Sequence, residues 1–320
     1  MLLPIFAALP ALWSGAPLAL TFSQEAPRGT AGPLTWFAEE DLLPIVRPLS
    51  LTAGAELQKI EAWLGALPSE PGQLVWVADR SSFERTLGAE TPSWFAAVTV
   101  PSQHRIVMLA DRSKSTGQLS ETFRHELVHW AMISLGDHAW QALPAWFHEG
   151  LAETWARTDP LSQFASPLAW RAFRGELSPL SRFREGFGKE PDAAAEGYGL
   201  AYAFVKRLVR IHGEPVISQL MARLRQGASL DQALIDVTGL GLISHEEALR
   251  AELGSWGALL GEIYPQLFLF TALFALAAAP FVVRARRRKR RLFEEKWARE
   301  EAEKLAEDEG SEDDRWIQPQ

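Results

Sequence analysis

The chain has 320 residues, of which 47% are hydrophobic and 22% charged, the make-up of an ordinary globular protein rather than a disordered or fibrous one. Acidic residues number 40 against 32 basic ones, a formal charge of −8 that argues against a nucleic-acid partner. There is no cysteine, so disulfides, cysteine-ligated zinc modules, iron–sulfur clusters and cysteine nucleophiles are excluded.

The two ends depart from the globular average. Met1–Leu20 carries no charged side chain, and small residues (Ser14, Gly15, Ala16, Ala19) lie near its end. This reads as a signal peptide, or else as an uncleaved first membrane span, although the basic start of a usual signal is missing. Tyr264–Val283 is a run of 20 residues without charge, and at 1.5 Å per residue a helix of that length spans a hydrocarbon core of about 30 Å. Arg284–Arg291 follows with seven basic residues in eight, which marks the cytoplasmic side of a span. The expected topology is a single pass through the cell membrane, with the C-terminus inside and residues 35–262 outside as one domain. The tail, 284–320, begins basic, where it suits anionic lipid heads, and ends acidic.

Within the outer domain, Glu56–Leu67 has a helical pattern. Gln73–Asp79 alternates and is rich in β-formers, which predicts a strand. Phe95–Pro101 and His104–Ala110 are expected to form a hairpin. The next element is helical, with Ser120 as its cap, Gly136 past its end, and Leu119, Phe123, Leu127, Trp130, Ala131 and Leu135 on a 3.6-residue period. A second helix is expected from Pro144 to Arg157, then an irregular stretch over 175–195. Helices are expected over Glu196–His212, Val216–Gln226, Leu230–Val237 and Glu246–Trp256. Strands early and helices late predict an α+β fold.

The first long helix contains His125-Glu126-Leu127-Val128-His129. Positions i and i+4 share a helix face, so both imidazoles can reach one metal ion. Glu126 points beside that ion, where it can take a proton from a metal-activated water. A catalytic zinc needs three protein ligands and one open position. Glu149, 20 residues after His129, is the candidate third ligand. Glu153, four residues on, can accept a hydrogen bond from the far nitrogen of a ligand histidine and raise its basicity.

This pattern of His125, Glu126, His129, a spacer, Glu149 and Glu153 resembles the gluzincin metallopeptidases, the thermolysin-like clan. The run Glu149–Glu153 resembles the peptidase MA-like subgroup in particular, as do Tyr198–Gly213 and Gly227–Gly239 more loosely. The resemblance implies a zincin-like domain holding one Zn2+ on His125, His129 and Glu149. It also implies Glu126 as general base and acid, and Glu153 behind the ligands. Substrate would be a peptide or protein lying along an edge strand before the metal helix, the place held by His104–Ala110. Tyr198, or Tyr202 beside it on one helical stripe, is the candidate donor to the oxyanion. The pattern that follows the glutamate in thermolysin is not found, so no substrate preference carries over. The alternative is a catalytically silent zincin-fold scaffold of a membrane complex.

The remaining histidines read as bystanders. His148 points about 100° away from Glu149 and is expected at the surface or the rim. His104, His138, His212 and His245 are expected to be exposed or partly buried.

Overall fold

The computed structural model describes residues 26–255 apart from 93–94, 112, 114, 157–164 and 189–190, and farther on residues 274, 276–291, 294, 297 and 299. The chain divides into two compact units, Met1–Leu259 and Leu260–Gln320.

The first unit is α+β. Its five strands are β1 (Gly29–Ala31), β2 (Leu34–Ala38), β3 (Gly72–Val77), β4 (Ala97–Val100) and β5 (Arg105–Leu109). They form one mixed sheet in the order β1-β2-β3-β5-β4. The β2–β3 and β3–β5 pairs are parallel, and the two outer pairs are antiparallel. Helix α1 (Leu43–Leu64) makes the crossover from β2 to β3, and α2 (Arg80–Leu87) follows β3. Asp79 caps α2 by accepting from the Ser82 N–H at 2.9 Å.

Side chains alternate across the strands. Leu74, Trp76, Ala97, Ile106 and Met108 face the main core with the helices. Val75, Val77, Val98, Val100, Val107 and Leu109 face a smaller core closed by Phe83 and Leu87 of α2. A sheet buried on both faces explains why its strands read as nearly continuous apolar runs.

The structure moves the edge strand. The 95–110 hairpin forms, turning through a short 3₁₀ segment at Pro101–Gln103. Yet β5 is interior, because β3 occupies its other side in the register Val75↔Val107. The outermost strand beside the metal helix is therefore β4, not His104–Ala110, and its residues are only 0–4% exposed. Strand order depends on which pairings bury most surface across the whole sheet, and the local pattern does not carry it.

Helix α3 (Thr116–Met132) starts earlier than expected, with Ser115 rather than Ser120 as its cap. Ser115 Oγ accepts from Gln118 N–H at 3.3 Å while the Gln118 side chain accepts from Ser115 N–H at 3.1 Å, a reciprocal capping box. Then come α4 (Asp137–Ala142), α5 (Ala145–Ala156), α6 (Ala165–Phe173), α7 (Pro191–His212), α8 (Pro215–Arg225), α9 (Leu230–Thr238) and α10 (Leu242–Leu253). Helix α1 also begins well before Glu56, since Pro44 sits in its first turn and Pro48 is tolerated within it. Its buried Val46, Leu49, Ala53, Leu57, Ile60 and Leu64 recur at helical spacing.

Helices α5 and α7 cross closely at Gly150, where a Cβ would stand 2.5 Å from the carbonyl oxygen of Ala201. No larger residue fits there, and the tight crossing holds α5 and its two glutamates in place.

In the second unit, residues 276–291 are helical. Phe274, Leu276, Phe281, Val282 and Val283 are 48–77% exposed. Among the described residues no helix is long and apolar enough to cross a membrane. Of the expected span Tyr264–Val283, residues 264–273 and 275 lie outside the described residues, as does the expected signal segment Met1–Leu20.

Candidate metal centre

Two helices supply the site. Helix α3 brings His125, Glu126 and His129, and α5 brings Glu149 and Glu153; all five are buried. Both helices lack the usual polar outer face here, because α3 lies between the sheet, α1 and α5, and α5 lies between α3 and α7. The charged side chains are thus turned towards one another inside the protein.

The Nε2 atoms of His125 and His129 stand 3.0 Å apart. Glu149 Oε2 lies 3.2 Å from His125 Nε2, and its Oε1 lies 3.6 Å from His129 Nε2. One ligand atom from each of the three falls within 4.8 Å of the others. Behind them, Glu153 Oε1 is 3.4 Å from His125 Nδ1. That carboxylate is placed to hold a proton on His125 Nδ1, which would leave Nε2 to coordinate.

The electrostatics agree with this picture. Burial alone would lower the His125 pKa, but the carboxylates of Glu149 and Glu153 outweigh it and raise the ring to about 10. Burial raises Glu149 to about 8, opposed by the His125 ring beside it. It also raises Glu126 to about 7, while the His125 charge and the Thr99 hydroxyl pull it down. His129 is pushed well below its ordinary value by burial and by the neighbouring His125 and His148 charges. Three buried carboxylates and two imidazoles thus share one small volume, and their protonation states conflict. A dication resolves that conflict by holding the imidazoles neutral and the carboxylates charged.

A fit test supports the metal. Glu149 Oε2 is buried with no hydrogen-bond partner among the described residues. Such an atom is costly in the absence of a ligand. Two imidazole nitrogens and a carboxylate oxygen directed at one point form the donor set of catalytic zinc.

Thr99, absent from the sequence reading, belongs to the site. Its hydroxyl donates to Glu126 Oε2 at 2.7 Å and lies 3.3 Å from the Glu126 backbone oxygen. It reaches the helix from β4, 27 residues away in the chain. The strand alternation that puts Ala97 and Thr99 on the helix-facing side was the one signal that could have indicated it.

The two tyrosines sit on α7. Tyr198 is fully buried with its ring 4.2 Å from that of Phe187. Tyr202 lies under the ammonium of Lys206, 5.6 Å from its ring centroid.

His148 is a correction. It is 3% exposed rather than at the rim. Its Nε2 is 3.1 Å from the Trp140 carbonyl oxygen, with the Trp140 ring 4.4 Å away. Helix α5 is enclosed on every side, so pointing away from the metal does not mean pointing to water. Burial lowers the ring to about 4, partly opposed by bonds to the Trp140 and Leu143 backbone. His245 is likewise buried, at 1% exposure. His138 and His212 are exposed and His104 half-buried.

The fold and this centre define an α+β domain with a buried His–His–Glu cluster that could hold a metal ion. Residues 52–254 match the peptidase MA superfamily, and the chain belongs to that superfamily. No curated protein matches it significantly.

Proposed function

We propose that the protein is a membrane-anchored zinc metallopeptidase whose catalytic domain lies outside the cytoplasm. The observation that carries the hydrolytic reading is the convergence of His125, His129 and Glu149 with Glu126 beside them. The anchor rests on the 20 uncharged residues of Tyr264–Val283, the basic run after them, and the exposed apolar side chains of their described part.

His125, His129 and Glu149 would hold zinc, which when bound would polarise the scissile carbonyl and lower the pKa of water. Glu126 takes a proton from the attacking water and returns it to the leaving amine. Glu153 fixes the His125 tautomer through Nδ1.

The substrate is an extended peptide. In the β4–β5 ladder the Leu109 N–H donates to Ala96 O at 2.8 Å. Alternation along the antiparallel pair then turns the backbone groups of Val98 and Val100 to β5, and those of Ala97 and Thr99 to the outer side of the sheet. A peptide strand would pair there once this edge, whose residues are 0–4% exposed, becomes accessible.

Tyr198 is the proposed donor to the developing oxyanion. It stands one helical turn before Ala201, which meets α5 at Gly150, next to Glu149. Tyr198→Phe should lower kcat about ten- to a hundredfold and leave bound zinc unchanged.

The deciding experiment measures zinc content and β-casein hydrolysis for the full chain and for Glu126→Gln. One zinc per chain in both, with hydrolysis reduced about a thousandfold or more in the variant, is the expected result. A zinc-loaded wild type that cleaves nothing would overturn the reading.

A further inference from the structure

We infer that Thr99 is a positioning residue at the proposed peptidase site. It aligns Glu126 through its hydroxyl. The inference rests on the peptidase reading above and extends it to a residue outside both zinc helices.

Three observations support it. Thr99 lies on β4, the outermost strand of the sheet, in register opposite Ile106. Its side chain reaches the metal helix, donating to Glu126 Oε2 at 2.7 Å. Thr99 and Glu126 are both buried, at 3% and 1% exposure, so water does not compete for this bond.

The chemistry follows from the hydrogen bond. A hydroxyl has one proton to give, and here it goes to Oε2. That orients the carboxylate and leaves Oε1 as the Glu126 oxygen the hydroxyl does not engage. During hydrolysis the proton leaves the attacking water, rests on Oε1, and passes to the nitrogen of the leaving amine. Thr99 keeps its own proton throughout, and its bond to Oε2 prevents the carboxylate from turning.

β-Branched flanks make the site testable. Valine is isosteric with threonine, suits a strand between Val98 and Val100, and retains the backbone groups while removing the hydroxyl. Full-length zinc-loaded Thr99→Val and Thr99→Ser would be compared with wild type on β-casein, together with zinc content and melting temperature. The expected Val variant keeps its zinc, loses about ten- to a hundredfold in kcat, and changes KM by less than about twofold. The Ser variant, with its hydroxyl restored, should recover kcat to within about threefold. An active wild type with an unchanged Val variant would overturn the role of Thr99 and leave the peptidase reading intact. So would a Ser variant as slow as Val, because that identifies packing rather than the hydroxyl. A zinc-loaded wild type without hydrolysis would overturn both.

Discussion

Two kinds of buried polar cluster coexist in the first unit. Around His245 and Glu196 every polar atom is answered by the protein. Thr238 Oγ1 lies 2.7 Å from His245 Nε2 and donates to Leu234 O at 2.7 Å, while Arg207 lies 3.4 Å from His245 Nδ1. Glu196 accepts from Ser178 N–H at 2.7 Å and Ser178 Oγ at 3.1 Å, and pairs with Arg171 at 3.1 Å. Between α3 and α5 the pattern is reversed. Two imidazole nitrogens face each other at 3.0 Å and Glu149 Oε2 has no hydrogen-bond partner among the described residues. Satisfied clusters hold helices together, whereas one with atoms directed at a common point is built for something that enters from outside. Burial alone does not separate the two, since His245 and Glu196 are as fully buried as His125, His129 and Glu149.

Removing single members should break this contrast. His129→Ala should abolish stoichiometric zinc binding. Glu153→Gln, which leaves all three ligands in place, should weaken it by only about 10–100-fold. Competition with a chelator of known affinity measures both. Equal zinc retention in wild type and His129→Ala would dissolve the distinction between the clusters. The counterpart in the satisfied cluster is Glu196→Gln. It should lower unfolding free energy by about 1–3 kcal/mol in denaturant titrations, because a buried charged acceptor is lost. Its zinc affinity should equal that of wild type, and a fall in zinc affinity would show that the two clusters are coupled.

The same contrast explains what could be read in advance. The i, i+4 spacings of His125/His129 and Glu149/Glu153 lie within single helices, so helix geometry alone places each pair on one face. Their meeting across α3 and α5 needed the family pattern, because no local rule brings residue 149 to residue 129. Thr99 was not legible for the same reason: its partner is on another element, and threonine on a strand is ordinary. The edge strand was misplaced because hairpin signals give pairing between neighbours, not the position of the pair within a sheet. His148 and His245 were placed too near the surface because the sequence shows which way a side chain points, but not how many helices surround it. Ser115 and Ser120 both fit a cap by type, and only the reciprocal bond with Gln118 selects the first.

The smallest effect sharpens the comparison most, because it tests a satisfied histidine. Burial lowers the His245 pKa, and the charges of Arg207 and His212 act in the same direction. The unfolded chain takes up that proton near pH 6.5, and the folded ring does so only at lower pH. Protons therefore favour the unfolded state, so this group removes stability as pH drops below about 6.5 and contributes nothing above it. Gln at position 245 retains a donor for Thr238 Oγ1 and cannot titrate. Denaturation midpoints of wild type and His245→Gln at pH 7.5 and 5.5 isolate the group, since every other titration is common to both chains. Wild type should lose more stability than the variant between the two values. Parallel losses would mean that the folded ring titrates like a free one, and that the Thr238–His245–Arg207 contacts do not hold it neutral.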